Sequence, residues 1–144
     1  MGQSVNGFFS VQLAAMPGAE GNLFFTPGHN VSIRHPATPA QNFYHSIDAG
    51  ATWSAVPGVN DVWAFGFGKA KPGSSYASIY IWGWVNGTLG IWQSTDNAKS
   101  WTQINNGYPL GIAAALTGLT GDNNEYGIVY ACFNGAGCIR GRLN

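Results

Sequence analysis

The stretch YIWGWVNGTLGIWQSTDNAKSW, residues 80–101, decides how this chain is read. Asn86-Gly87 separates two runs rich in aromatic and branched residues, and both residues tolerate the positive φ that a type I′ turn requires. The pattern predicts a hairpin of antiparallel strands over 79–85 and 89–94. A polar turn closed by Trp101 follows.

That turn has an echo upstream. Ser46, Asp48, Gly50, Thr52 and Trp53 repeat the order of Ser94, Asp96, Ala98, Ser100 and Trp101 at a displacement of 48 residues. A period of this size signals an array of similar units, and four-stranded propeller blades fall close to it. The chemistry fits a tight turn. Asp accepts hydrogen bonds from backbone N–H groups a few residues on, Ser does so more weakly, Gly relieves the backbone, and Trp anchors the turn in an apolar layer. The pattern resembles the Asp-box found between the outer strands of sialidase-like propeller blades, which gives Ser46, Asp48, Gly50, Trp53, Ser94, Asp96 and Trp101 structural roles.

Composition narrows the function classes. The 144 residues suffice for one domain with a core. Only 8% are charged, 14% are aromatic and 21 are glycine, a balance suited to many short strands joined by glycine turns. Formal net charge is zero and no Lys/Arg cluster occurs, which argues against nucleic acid or anionic lipid as partner. A neutral polymer such as a polysaccharide suits this surface better. No apolar run reaches the ~18 residues of a membrane span, and the opening MGQSVN does not read as a signal peptide.

Strands are expected at 7–16, 22–26, 42–46 and 53–56 for a first blade, and at 61–69, 79–85, 89–94 and 101–105 for a second. A last unit should hold strands at 113–119, 127–133 and 138–143. The reading is thus an all-β protein of about three four-stranded propeller-type blades, a single partial propeller over 1–144 with approximate blades 7–58, 59–107 and 108–144. Propellers close with ~4–8 blades, so three imply a homo-oligomer or part of a larger propeller. Cys132 and Cys138 flank a predicted hairpin turn, where they would face each other as a disulfide or remain two buried thiols.

Further residues carry a family resemblance. The run DVWAFGFGKA at 61–70, then Pro72-Gly73, Ser75-Tyr76, Val85-Asn86-Gly87, the turn to Trp101, Thr120-Gly121-Asp122, Tyr126-Gly127, Val129-Tyr130 and Asn134-Gly135 resembles the C-terminal blades of glycoside hydrolase family 74. The resemblance covers most of the chain from about Met16, and its most specific part is 65–76. It implies descent from endo-glucanases and xyloglucanases built of two seven-bladed propellers, hence an extracellular setting and a β-1,4-glucan or xyloglucan partner. In that family an acid and a base aspartate stand on either side of a cleft, one from each propeller, and neither motif matches here.

The candidates for chemistry are few. Glycoside cleavage needs two carboxyl groups ~5–10 Å apart. Asp61 and Asp122 precede strands and, if they lie at one rim, form the one conceivable catalytic pair, the alternative being turn formers or solvated groups. His29, His35 and His45 lack metal-ligand spacing, and neither a metal nor a cofactor is expected. Along 78–84, Tyr80, Trp82 and Trp84 share one strand face. They form either a platform for pyranose rings, extended by Trp92 and Trp63, or a layer of inter-blade core. The leading expectation is a carbohydrate-interacting module, with a glycosidase completed by oligomerisation and a purely structural assembly fragment as alternatives.

Overall fold

Short alternating runs between glycine turns produce strands throughout. The computed structural model describes residues 8–9, 11–30, 41–105, 116–134 and 137–143. In chain order the strands are β1 (Phe8–Phe9), β2 (Gln12–Ala15), β3 (Leu23–Thr26), β4 (His29–Asn30), β5 (Tyr44–Ser46), β6 (Ser54–Ala55), β7 (Val59–Gly68), β8 (Ser78–Val85), β9 (Thr88–Ser94), β10 (Thr102–Gln103), β11 (Leu116–Gly121), β12 (Ile128–Phe133) and β13 (Gly137–Arg142). Blade one is the sheet β2-β3-β5-β6, blade two is β7-β8-β9-β10, and blade three shows β11-β12-β13. All pairs are antiparallel, as expected for propeller blades.

One expectation changes: the strand predicted over 7–16 is divided, because β1 leaves blade one and pairs with β4. Blade three shows the three strands expected of the last unit, and part of the first of them, 113–115, lies outside the described residues. The predicted hairpin is present: Asn86 and Gly87 take φ values of 48° and 77°, and Val85 pairs with Thr88.

β8 is buried on both sides. Ile79, Ile81 and Val85 join Met16, Phe24 and Phe43 in a core between blades one and two. Tyr80 and Trp82 join Leu116, Leu119, Val129, Ala131 and Phe133 in a core between blades two and three. β7 divides more sharply. Its Phe65 and Phe67 pack toward blade one, while Ala64, Gly66 and Gly68 face blade three. A Cβ on Gly66 would lie 2.2 Å from the Leu119 carbonyl oxygen, and one on Gly68 2.7 Å from Gly121 Cα. Backbone therefore meets backbone at this seam.

β7 lies at the edge of its sheet, so its outer row of backbone groups needs partners from elsewhere. The neighbouring blades supply them. The Gln12 side chain acts as a one-residue strand, donating from Nε2 to the Phe65 carbonyl (2.7 Å) and accepting from the Phe65 N–H at Oε1 (3.0 Å). Near a bulge in the β7–β8 register, Val62 N–H donates to Asn42 Oδ1 (2.8 Å), and Thr26 Oγ1 donates to the Val62 carbonyl (3.0 Å). On the other side Thr120 Oγ1 donates to the Phe67 carbonyl (3.0 Å), and Lys69 N–H to the Asp122 carbonyl (2.6 Å).

Replacing Gly66 by Ala should destabilise the fold by about 2–3 kcal/mol, because the methyl would have to displace backbone rather than a flexible side chain. Gly141→Ala, whose Cβ would meet only Val129 O at 3.9 Å, should stay within about 0.5 kcal/mol. Urea unfolding of both variants checks the contrast.

Candidate functional site

The hairpin end of blade two brings chemistry-bearing side chains together. Asn86 N–H donates to the Gly58 carbonyl (2.8 Å) and Gly87 N–H to Asn60 Oδ1 (3.1 Å), which ties the hairpin tip to the entry of β7. Two residues on, Asp61 stands opposite Trp84 in the ladder. The bulge there is accommodated by Gly83, where a Cβ would sit 2.0 Å from the Asp61 carbonyl. Asp61 is 7% exposed, and its carboxylate accepts from the Trp63 indole N–H at Oδ2 (3.0 Å) and from the Asn42 amide at Oδ1. Trp63 meets Trp82 edge to face, with ring centroids 5.2 Å apart and planes at 83°. Trp63 and Trp84 remain partly accessible.

The expected aromatic platform is corrected by this packing. Tyr80 and Trp82 are 1% and 0% exposed, because blade three covers the face on which they lie, and no sugar ring reaches them there. Burial raises the Tyr80 pKa, and Gln93 Nε2 donates to its hydroxyl (3.0 Å). Trp92 pairs with Ile81 and packs toward blade one, on the opposite side of the sheet from Trp84. Only Trp63 and Trp84 of the five stay together at the accessible end.

The expected catalytic pair is also corrected. Contacts of Phe67 with Thr120 and of Lys69 with Asp122 show β7 and β11 running parallel, so Asp122 sits beside Lys69 at the far end of β7. At ~3.3 Å per residue, eight residues place Asp61 and Asp122 roughly 26 Å apart, well beyond the reach of acid–base cooperation on one bond. Asp122 is a turn former: Oδ1 accepts from the N–H groups of Asn124 (2.7 Å) and Glu125 (3.0 Å), and Oδ2 from the Tyr130 hydroxyl (3.1 Å).

The two repeated turns share one hydrogen-bond scheme. Ser46 Oγ donates to Asp48 Oδ1 (2.8 Å) and accepts from Gly50 N–H (2.9 Å); Asp48 also accepts from the Thr52 N–H (2.8 Å) and hydroxyl (2.6 Å). Ser94 Oγ likewise donates to Asp96 Oδ1 (2.8 Å) and accepts from Ala98 N–H (3.0 Å), while Asp96 takes the Ser100 N–H (2.9 Å) and hydroxyl (2.5 Å). The Thr52 hydroxyl and N–H pull the Asp48 pKa down to about 2, against an ordinary 3.8. For Asp96, desolvation opposes the shift, but the bonds from Ser100 outweigh it and the pKa is lowered; that of Asp122 is lowered first by the Asn124 N–H. The closing tryptophans differ. Trp101 packs edge-on to Phe43 of blade one (6.3 Å), whereas Trp53 is 39% exposed beside Phe25 (6.0 Å) on the open face of blade one.

Cys132 and Cys138 pair directly in the β12–β13 ladder and form a disulfide. A groove of about 580 Å³ runs between the outer strands of blade one and Asn97, Ala98 and Lys99 of blade two. Its lining, which includes His45, Ile47 and Pro57, contains no carboxylate and so offers no acid–base pair. Asn42 was missed by sequence reasoning, since its role depends on a contact with the next blade.

The blade order, the parallel inner strands and the shared turn scheme invite comparison with solved propellers. A glycoside hydrolase family 74 enzyme of Niastella koreensis superposes with a TM-score of 0.72 at 29% identity, over 90% of this chain and 17% of that one. The chain is built of family 74 propeller blades. A family 74 xyloglucanase of Xanthomonas campestris shares the fold, with a TM-score of 0.71 at 23% identity over 94% of this chain and 17% of that chain. In sequence, a xyloglucanase of a Paenibacillus species is 35% identical over 130 residues, 90% of this chain, and one of Acetivibrio thermocellus is 45% identical over 76 residues, 53% of it. The chain spans only 12% and 9% of these two relatives. No family model matches it.

The family 74 turns generate a pH prediction. Asp48, Asp96 and Asp122 have folded-state pKa values below their ordinary 3.8, so their stabilisation is present above about pH 4 and is lost as pH falls through the depressed values, about 2 for Asp48. Carboxyl-detected NMR titration should find Asp48 near 2, and Thr52→Val should move it toward 3.8 while leaving Asp96 unchanged.

Proposed function

We propose that this chain contributes a β-1,4-glucan-binding surface, directed at xyloglucan, in which Trp63 and Trp84 stack on sugar rings at the hairpin end of blade two. The observation that carries the reading is the placement of these two partly accessible indoles beside the polar groups of Asn60, Asp61 and Asn86, the mix of apolar face and hydrogen-bonding edge that a pyranose requires. The xyloglucanase names of the sequence relatives supply the polymer. Hydrolysis is left to residues outside this chain, because its described acids are engaged in turns, in the Asp61 bridge or in the Glu125–Arg142 ion pair (2.6 Å), apart from exposed Glu20. An extracellular setting agrees with the disulfide, which persists in oxidising compartments. The open face of blade one, with Val11 66% and Leu13 61% exposed, suits a further apolar sheet, from a second copy or from the rest of a larger propeller.

Trp84→Ala and Trp63→Ala should each weaken binding to soluble xyloglucan, by at least about tenfold in calorimetric titration, with the fold retained. Trp82→Ala should instead cost about 3–5 kcal/mol of stability, as a buried aromatic does. Retained affinity in both Trp63→Ala and Trp84→Ala would sink the proposal.

A further inference from the structure

We infer that Asp61 is a positioning residue that holds the Trp63 indole ready for a sugar ring, a role that rests on the glucan-binding reading above. Asp61 is a buried residue at a strand bulge, a costly placement for a carboxylate unless its oxygens are occupied. Oδ2 holds the Trp63 indole N–H at 3.0 Å, and Oδ1 receives the Asn42 amide. The amide orientation of Asn42 is itself set, since Nδ2 also donates to the Gly28 carbonyl (3.0 Å) while Oδ1 accepts from Val62 N–H (2.8 Å). Asp61 thus faces two donors and no acceptor among these partners. Only a group with two acceptor atoms satisfies both; an asparagine there would turn its own NH₂ toward one of them.

The geometry fixes the ring at two points. The charge-assisted bond holds the nitrogen edge of Trp63, and the edge-to-face contact with Trp82 holds the ring against the inter-blade core. An indole fixed in this way loses little rotamer freedom when a pyranose lands on its face, so affinity is gained through preorganisation rather than through a new contact. The anchor also crosses a blade boundary, because Asn42 precedes β5 of blade one while Asp61 and Trp63 lie on β7 of blade two.

The test uses the chain with a soluble xyloglucan oligosaccharide as probe, titrated by calorimetry, and with ¹⁵N NMR of the indole N–H groups. In Asp61→Asn the Trp63 indole resonance should shift and affinity should fall about tenfold. Trp63→Phe, which keeps a ring but no donor, should lose a similar amount. The double variant should bind no worse than either single one, since one interaction is being removed twice. Unchanged affinity and indole shift in Asp61→Asn, or additive losses in the double variant, would overturn the positioning role while leaving glucan binding intact. If Asp61→Asn does not fold, Trp63→Phe with wild-type affinity overturns it equally. Failure of the wild-type chain to bind the oligosaccharide would instead overturn the glucan-binding reading, and this role with it.

Discussion

Blades two and three meet backbone to backbone, and much of the architecture follows from that contact. Ala64, Gly66 and Gly68 remove the side chains that would otherwise hold β7 and β11 apart, so the inner strands pack at a distance no larger residue permits. The bulk displaced from β7 reappears one strand further out, where Tyr80 and Trp82 fill the widening gap between the sheets. A wedge results: small residues at the inner strand and large ones beyond it. That taper makes successive sheets fan around an axis rather than stack flat.

This wedge explains why some of the fold was legible in the sequence and some was not. The Asn86-Gly87 turn and the repeated Ser-x-Asp turns are local, decided by residues within a few positions of each other, and they appear where the pattern placed them. The alternation of β8 was equally plain, but both of its faces are apolar. Nothing local distinguishes an aromatic layer waiting for a ligand from one waiting for the next blade, and Tyr80 and Trp82 belong to the latter. Asp61 and Asp122 show the complementary limit. Each lies at a strand end, yet parallel inner strands put the beginning of one and the end of the other at opposite rims, a fact that requires the packing of blades to be known.

The candidate site was legible only as residue types. Trp63, Trp84 and Asp61 stood out as two aromatics and an acid, but their grouping depends on a bulge that shifts the β7–β8 register and on Asn42 from the preceding blade. A bulge reflects the partner strand and the space beneath it, here the absent side chain of Gly83, more than the bulged residues themselves. Asp61 accordingly changes meaning between sequence and structure, from a possible proton donor to a fixed acceptor of two hydrogen bonds.

The side chains on the inner edge of β7 have a further effect. An uncovered strand edge is a template on which any extended peptide can polymerise. Gln12, Thr26, Asn42 and Thr120 occupy the very carbonyl and amide groups that such a peptide would need, and none of them is itself part of a strand that continues the ladder of blade two. Each blade of an assembly that keeps its axial channel open must leave its innermost strand unpaired, which is where amyloid-like growth would begin. By lending single side chains across the seams, the neighbouring blades occupy backbone groups of β7 at Val62, Phe65 and Phe67, and an extended peptide finds those positions already bonded.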